Sequence, residues 1–232
     1  MLPAGTTPAP SAAAAAWLPP IGAVTGALSG AVAELVATRS HALGVATAFV
    51  MPVVLTGALH LDGFADGCDA FFANVSPARR LEILKDPRHG TFALAGSIVV
   101  SALWLAALAD IAPARYPVVL ATAAMAARLG AVAHMRYVKH ARAENPSPAF
   151  VARPPGTILL ADALALAALA AFAPPFPRDG VAPALAGFLA ATLALTWARR
   201  KLDGAAVGDT YGFAIVAGET AAVCAAALMP PR

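Results

Sequence analysis

Residues 91–110, TFALAGSIVVSALWLAALAD, form an apolar run that carries no charge before Asp110 at its end. A helix rises about 1.5 Å per residue, so about 20 residues cross the hydrocarbon core of a bilayer. The run directly follows a segment rich in charge and turn formers, RRLEILKDPRHG at 79–90. We therefore interpret residues 91–110 as a transmembrane helix that begins at a polar loop.

Similar apolar stretches recur along the chain. Of its 232 residues, 59% are apolar and 12% are charged, whereas a soluble domain has about 25% charged residues. Most of the surface therefore faces a lipid bilayer. We predict an all-α, polytopic transmembrane helical bundle of about seven spans, within a range of six to eight. The predicted spans are residues 20–38, 42–59, 91–110, 117–134, 157–173, 181–198 and 211–229.

The remaining composition limits the domain organisation and the partners. Residues 1–16 are rich in Ala and Pro and lack the basic head of a secretory signal; we predict a disordered N-terminal segment followed by one integral membrane domain over 17–232. The net charge is +3, but its basic residues form no dense stripe, so we expect no nucleic-acid partner. Cys68 and Cys224 lie far apart, which indicates neither a disulfide framework nor a zinc site.

Lys and Arg are unevenly distributed over the two sides of the predicted bundle. Cytoplasmic segments usually hold the excess of these residues, so the richer side, with segments 60–90 and 199–210, is predicted to face the cytoplasm. That side holds Arg79, Arg80, Lys85, Arg88, Arg136, Lys139, Arg142, Arg153, Arg199, Arg200 and Lys201, and the other holds Arg39, Arg115, Arg178 and Arg232.

The segment LHLDGFADGCDA at 59–70 contains three aspartates with helical spacing. Asp62, Asp66 and Asp69 lie at i, i+4 and i+7, within about 60° of one another on a helix. A solvated acidic surface is the ordinary interpretation, but the neighbouring residues are apolar. Three carboxylates in such surroundings need a cation, and Mg²⁺ prefers oxygen ligands and bridges carboxylates to phosphates. The spacing therefore favours a magnesium site.

A basic loop and a late glycine-rich segment add further candidates. Lys85 and Arg88 stand in a turn-forming connection where they suit phosphate oxygens, with Asp86 either completing the metal shell or orienting Lys85. In GDTYGFAIVAGET at 208–220, Asp209 precedes the last span and Glu219 lies inside it. An acid within a span is expected to have a partner, and Arg128 in the fourth span is a candidate. His60 is either a hydrogen-bonded core histidine or part of the acidic site.

These motifs, LHLDGFADGCDA, RRLEILKDPRHGTF and GDTYGFAIVAGET in this order, resemble those of the adenosylcobinamide-GDP ribazoletransferase family, also called cobalamin-5'-phosphate synthase. The resemblance implies a magnesium-dependent, multi-pass enzyme of the cell inner membrane. It would join α-ribazole or its 5'-phosphate to adenosylcobinamide-GDP and release GMP, late in cobalamin biosynthesis. A homo-oligomer, or association with other enzymes of the corrinoid pathway, is also expected.

The resemblance also implies roles for individual residues. Asp62, Asp66 and Asp69 would hold magnesium and act in catalysis with His60, and Asp69 is the first choice for a general base. The residues implied in binding substrate phosphates are Lys85, Asp86, Arg88, Asp209, Glu219 and Arg128. One departure is Ala70, because the family usually continues this motif with an Asp-Gly pair.

Two other classes of membrane protein remain open on the sequence. CDP-alcohol phosphotransferases also space Asp-Gly and Asp along a helix, but their Ala-Arg after the first Asp-Gly is Phe64-Ala65 here. A cation-coupled transporter would place acids near the middle of several spans. Here most acids cluster at one predicted edge of the membrane, beside Lys and Arg.

Overall fold

A computed structural model describes residues 14–135, 139–140, 154–172 and 180–229. This part is almost entirely helical, which confirms the predicted all-α fold. A two-residue parallel pairing joins β1 (Lys139–His140) to β2 (Ala205–Ala206). The helices of the described part are α1 (Leu18–Ala37), α2 (His41–Leu55), α3 (Leu59–Phe72), α4 (Pro77–Ile83), α5 (Thr91–Asp110), α6 (Tyr116–His134), α7 (Gly156–Phe172), α8 (Val181–Arg200) and α9 (Gly208–Ala227).

Each predicted span contains a helix, but not every helix is long enough to cross a membrane. Within the described ranges, five helical stretches are sufficiently long and apolar, and a sixth is added if α2 and α3 count as one broken span. Helix α2 has 15 residues and α7 has 17. The described part is therefore polytopic with five to six candidate spans, and six is the lower end of the predicted range of six to eight.

The bend between α2 and α3 creates a short helix of its own. Gly57 and Ala58 both have φ near +59°, in the left-handed region that a Cβ disfavours. Their conformation turns α3 by 89° relative to α2. As a result, the segment with the three aspartates leaves the path of α2 instead of continuing along it.

Helices α6 and α9 form the centre of the bundle. In their apolar windows 89% and 67% of residues are buried, against 28% for α5. Helix α1 packs tightly on α6 through Gly22, Gly26 and Gly30, a spacing that lets two membrane helices approach closely. The outer helices expose Leu, Ile and Val side chains, such as Leu28 and Ile98, as expected for surfaces that face lipid.

Some predictions fall wholly or partly outside the described residues. Of the N-terminal segment predicted to be disordered, Ala14–Trp17 forms a 3-10 turn with Ala15 and Ala16 buried, and residues 1–13 are not described. Five basic residues of the charge count are also outside the described ranges: Arg136, Arg142, Arg153, Arg178 and Arg232.

Candidate active site at the α3 edge

Helix α3 packs against α9 through its glycines. A Cβ at Gly63 would lie 3.1 Å from the Cα of Asp209, and one at Gly67 would lie 2.8 Å from the ring of Phe213. Larger residues at these positions would push the two helices apart. The glycines therefore bring α3 onto the start of α9, so the acidic segment and the late glycine-rich segment form one site.

Asp62 and Asp66 lie one turn apart and share a neighbour, His89. The Nε2 of His89 is 3.8 Å from Asp62 Oδ1, and its Nδ1 is 3.4 Å from Asp66 Oδ1. The side chain of Asp62 is 60% exposed and that of Asp66 is 18% exposed. The imidazole therefore stands between two carboxylates at the surface of the bundle.

Asp69 makes a different set of contacts. Its Oδ2 accepts a hydrogen bond from the Gly90 amide at 2.5 Å, and its Oδ1 accepts one from the Ala93 amide at 2.9 Å. These amides belong to the first turn of α5, where no carbonyl of the helix can accept from them. Asp69 thus fixes the start of α5 against α3, and its predicted metal-binding and general-base roles stay predictions.

The basic loop between α4 and α5 has the predicted non-helical form and pairs two of its own charges. Arg88 donates to Asp86 through Nε at 2.9 Å and through Nη2 at 2.7 Å. This guanidinium lowers the pKa of Asp86 to about 2, so Asp86 stays ionised at neutral pH. Asp86 therefore orients Arg88, and Lys85 is exposed beside them.

Asp209 brings a further carboxylate to this edge. It lies in the first turn of α9, and its charge acts on Asp66 together with the charges of Asp62 and Asp69. Thr210 accepts a hydrogen bond from the Val207 amide at 2.7 Å, which defines the start of the helix. The structure thus places Asp209 with the acidic segment, although more than 130 residues separate them in the sequence.

Arg128, Glu219 and His60 form a separate, buried network. Arg128 Nη1 lies 2.5 Å from Glu219 Oε1, and both side chains are close to 90% buried or more. Arg128 Nη2 lies 3.3 Å from His60 Nδ1. The predicted pairing of Arg128 with Glu219 is confirmed. Since both charges are already paired inside the bundle, the phosphate-binding roles suggested for them stay predictions.

An open cleft of about 650 Å³ adjoins the exposed carboxylate of Asp62. It lies between α3 and α5 and is lined by Asp62, His89 and Gly90, with Leu94 among its apolar walls. The cleft is large enough for a nucleotide-sized ligand, whose sites usually measure about 300–1,000 Å³. Asp62 and His89 thus stand together at one opening of the bundle.

The sequence pattern of the cobalamin-5-phosphate synthase family matches residues 1–227, almost the whole chain. The chain belongs to this family. No solved structure matches the chain.

Several curated proteins that are similar to this chain carry the name adenosylcobinamide-GDP ribazoletransferase. The protein from Deinococcus radiodurans is 38% identical over 71% of the chain, and the match spans 57% of that relative's length. The protein from Azorhizobium caulinodans is 32% identical over 82% of the chain and 75% of its own length. The protein from Shigella flexneri is 32% identical over 87% of the chain and 82% of its own length. The chain therefore spans little more than half of the Deinococcus relative and more of the others.

The metal that the family resemblance implies can be tested against the donor atoms. Among the described residues, no three His, Cys, Asp or Glu side chains converge on a point that could hold a metal ion. Mg²⁺, however, keeps several waters and often takes only one or two carboxylates plus phosphate oxygens. The neighbouring, partly exposed carboxylates of Asp62 and Asp66 fit that requirement.

His89 belongs to the basic loop in the sequence, but the sequence assigned it no role in the site. It stands in the basic loop beside Arg88, where a histidine is easily interpreted as one more charge of a membrane-flanking segment. Its contacts with Asp62 and Asp66 depend on how the loop returns to α3. His89 is next to Gly90, whose amide donates to Asp69. This hydrogen bond holds the loop against α3, and it is visible only in the structure.

Proposed function

We propose that this protein transfers α-ribazole, or α-ribazole 5'-phosphate, onto adenosylcobinamide-GDP and releases GMP. The observation that carries the proposal is that the charges of Asp62 and Asp209 act on Asp66 beside His89 of the basic loop, and that Asp62 and His89 line an open cleft. The family membership and the names of the relatives support the same reaction.

The reaction is a displacement at phosphorus. A ribose hydroxyl oxygen of the acceptor forms a bond to the phosphorus that carries cobinamide. The bond from that phosphorus to the bridging oxygen breaks, and GMP leaves with the electron pair. Positioning and charge neutralisation supply most of the catalysis in phosphoryl transfer, which suits a site built from carboxylates and basic side chains.

Asp62 and Asp66 would hold magnesium. When bound, the ion would neutralise charge on the pyrophosphate. Lys85 and Arg88 would bind phosphate oxygens from the loop, and the carboxylate of Asp86 keeps Arg88 oriented. We assign the proton of the attacking hydroxyl to Asp209, which lies in the first turn of α9 beside Gly63 of α3 and whose charge acts on Asp66.

The test uses the full-length protein in lipid nanodiscs. Adenosylcobinamide-GDP is supplied with magnesium and either α-ribazole or its 5'-phosphate, and GMP and corrinoid products are separated by chromatography. We expect GMP release that requires magnesium and is lost in Asp62→Asn. Asp110→Asn, an exposed acid at the other end of α5, is the matched control and should retain activity. A folded protein that forms no GMP with either acceptor would overturn the proposal.

Four further expectations stay predictions: an inner-membrane location, a cytoplasmic site, a homo-oligomer, and contacts with other corrinoid-pathway enzymes. The first two fit a substrate linked to GDP, which is supplied from the cytoplasm. Chemical labelling of the two ends of α5 tests them, as set out below.

A further inference from the structure

Two cavities meet at His60. One, of about 40 Å³, is lined by residues that include Trp104, Arg128 and Glu219. The other, of about 130 Å³, lies between α3, α6 and α9 near Asp209. His60 is the single residue that borders both of these cavities. Its ring therefore separates the buried ion pair from the larger cavity, which we call the base pocket.

The buried network determines which nitrogen of His60 carries hydrogen. A guanidinium has only donors and does not lose its proton in proteins, so Arg128 Nη2 donates to His60 Nδ1 across their 3.3 Å contact. Glu219 and the Ala124 carbonyl hold the other side of the guanidinium. His60 is consequently neutral, with its hydrogen on Nε2. That N–H is available as a donor to a ligand.

The base pocket has the size and the largely apolar lining of a site for one ring. Its walls include Ala131, Val132 and Ile215, and glycines at 63, 208 and 212 keep other parts of its lining free of side chains. An apolar cavity of about 150 Å³ binds benzene, so a pocket of about 130 Å³ takes one aromatic ring, with any fused ring toward the opening. A corrinoid is far too large for this pocket, and its apolar walls together with the carboxylate of Asp209 disfavour a pyrophosphate.

The position of the pocket relates it to the proposed chemistry. Asp209 lines the pocket, and its charge acts on Asp66. The 650 Å³ cleft borders α3 elsewhere, beside Asp62 and His89. A nucleoside with its base in the pocket can therefore direct its ribose past Asp209 toward the carboxylates, while the larger cleft is left for the phosphate-bearing donor.

We propose that the base pocket binds the dimethylbenzimidazole base of the acceptor nucleoside, and that His60 donates from Nε2 to its unsubstituted ring nitrogen. This inference rests on the proposed function, because it takes the acceptor to be α-ribazole. His60 is then a substrate-binding residue, and Arg128 with Glu219 positions it by fixing its tautomer.

The test combines direct binding with steady-state kinetics on the full-length protein in nanodiscs. Binding of radiolabelled α-ribazole alone is measured by equilibrium dialysis, without the donor. Leu18→Trp introduces an indole at a partly buried position that lines the pocket. Leu28→Trp, on the same helix at an exposed position, is the matched control. His60→Ala removes the donor, and His60→Gln restores an N–H donor of different reach.

We expect Leu18→Trp to weaken α-ribazole binding and raise its KM at least about tenfold, while the KM for adenosylcobinamide-GDP changes less than about twofold. Leu28→Trp should match the wild type. His60→Ala should raise the acceptor KM about two- to tenfold, the usual value of one hydrogen bond, with partial recovery in His60→Gln.

If the wild type turns over but Leu18→Trp leaves acceptor binding and KM unchanged, or raises the donor KM instead, the pocket assignment is wrong and the proposed reaction stands. If a folded wild type neither binds α-ribazole nor forms GMP, both are wrong.

Discussion

Asp66 and Asp69 are three residues apart on one helix, yet their contacts predict opposite effects of substitution. The carboxylate of Asp66 makes no hydrogen bond to the backbone among the described contacts, so Asp66→Asn should change thermal stability little. We expect the activity to fall about 100- to 1,000-fold, as for the loss of one electrostatic stabiliser. Asp69→Ala removes two hydrogen bonds to the start of α5 and should cost about 1–3 kcal/mol of unfolding free energy.

These two variants are compared by GMP release and by thermal unfolding in the same detergent. Amide hydrogen exchange at Gly90 and Ala93 adds a local measurement, since both amides should exchange faster only in Asp69→Ala. Loss of folding in Asp66→Asn with normal folding in Asp69→Ala would contradict the assignment of these roles.

The Arg128–Glu219 pair gives a second prediction for single residues. Removing one partner leaves the other charge buried and unpaired, which costs about 3–5 kcal/mol. We therefore expect Arg128→Met and Glu219→Met each to destabilise the protein strongly, and the double variant to be more stable than either. A double-mutant cycle on unfolding in detergent measures the coupling; additive effects would show that the 2.5 Å contact contributes little.

The sequence was sufficient to find this pair and the aspartates, but not their surroundings. An acid inside an apolar run requires a partner, and Arg128 was the one basic residue in a predicted span, so Glu219 could be matched to it. Asp69 fell into a metal set because helical spacing alone places it near Asp66. Its hydrogen bonds to Gly90 and Ala93 depend on the course of the chain through α4, which periodicity does not reveal.

At the level of helices, the bend before α3 was the feature that hydropathy could not predict. Residues 42–59 carry no charge and suggest one span, although Pro52 and Gly57 can both interrupt a helix. The left-handed conformation at Ala58 carries no distinct sequence signal, because alanine normally favours a helix. Six spans, the lower end of the predicted range of six to eight, are present in the described part if α2 and α3 count as one broken span.

This conformation makes Ala58→Gly a stabilising substitution. A left-handed residue with a Cβ costs about 1–2 kcal/mol, whereas glycine adopts the same φ without that strain but loses more entropy on folding. We expect a net gain of up to about 1 kcal/mol in unfolding free energy, with activity retained. Ala27→Gly, within helix α1, is the control and should destabilise the protein. Thermal unfolding of both variants is compared with that of the wild type. A destabilised Ala58→Gly would show that the bend carries no strain.

For the whole molecule, the two ends of the bundle differ in chemistry. Asp62, Asp66 and Asp209 lie near one another at the end where α5 begins, and Lys85 stands in the loop that leads into α5. At the end where α5 finishes, His41 Nε2 lies 3.3 Å from the Ala109 carbonyl oxygen, which places the α1–α2 connection there. A 20-residue helix such as α5 is about 30 Å long, so the ends lie on opposite sides of a bilayer.

The excess of Lys and Arg then predicts which side the site faces. In a background of Cys68→Ala and Cys224→Ala, the exposed positions Lys85 and Asp110 are replaced one at a time by cysteine. A membrane-impermeant maleimide should label Asp110→Cys in spheroplasts and Lys85→Cys in inverted vesicles, because the positive-inside rule places the basic loop in the cytoplasm. Labelling after detergent solubilisation checks that both thiols react. The reverse pattern would put the acidic cluster outside the cell, away from the nucleotide-linked substrate, and would contradict both the orientation and the proposed supply of that substrate from the cytoplasm.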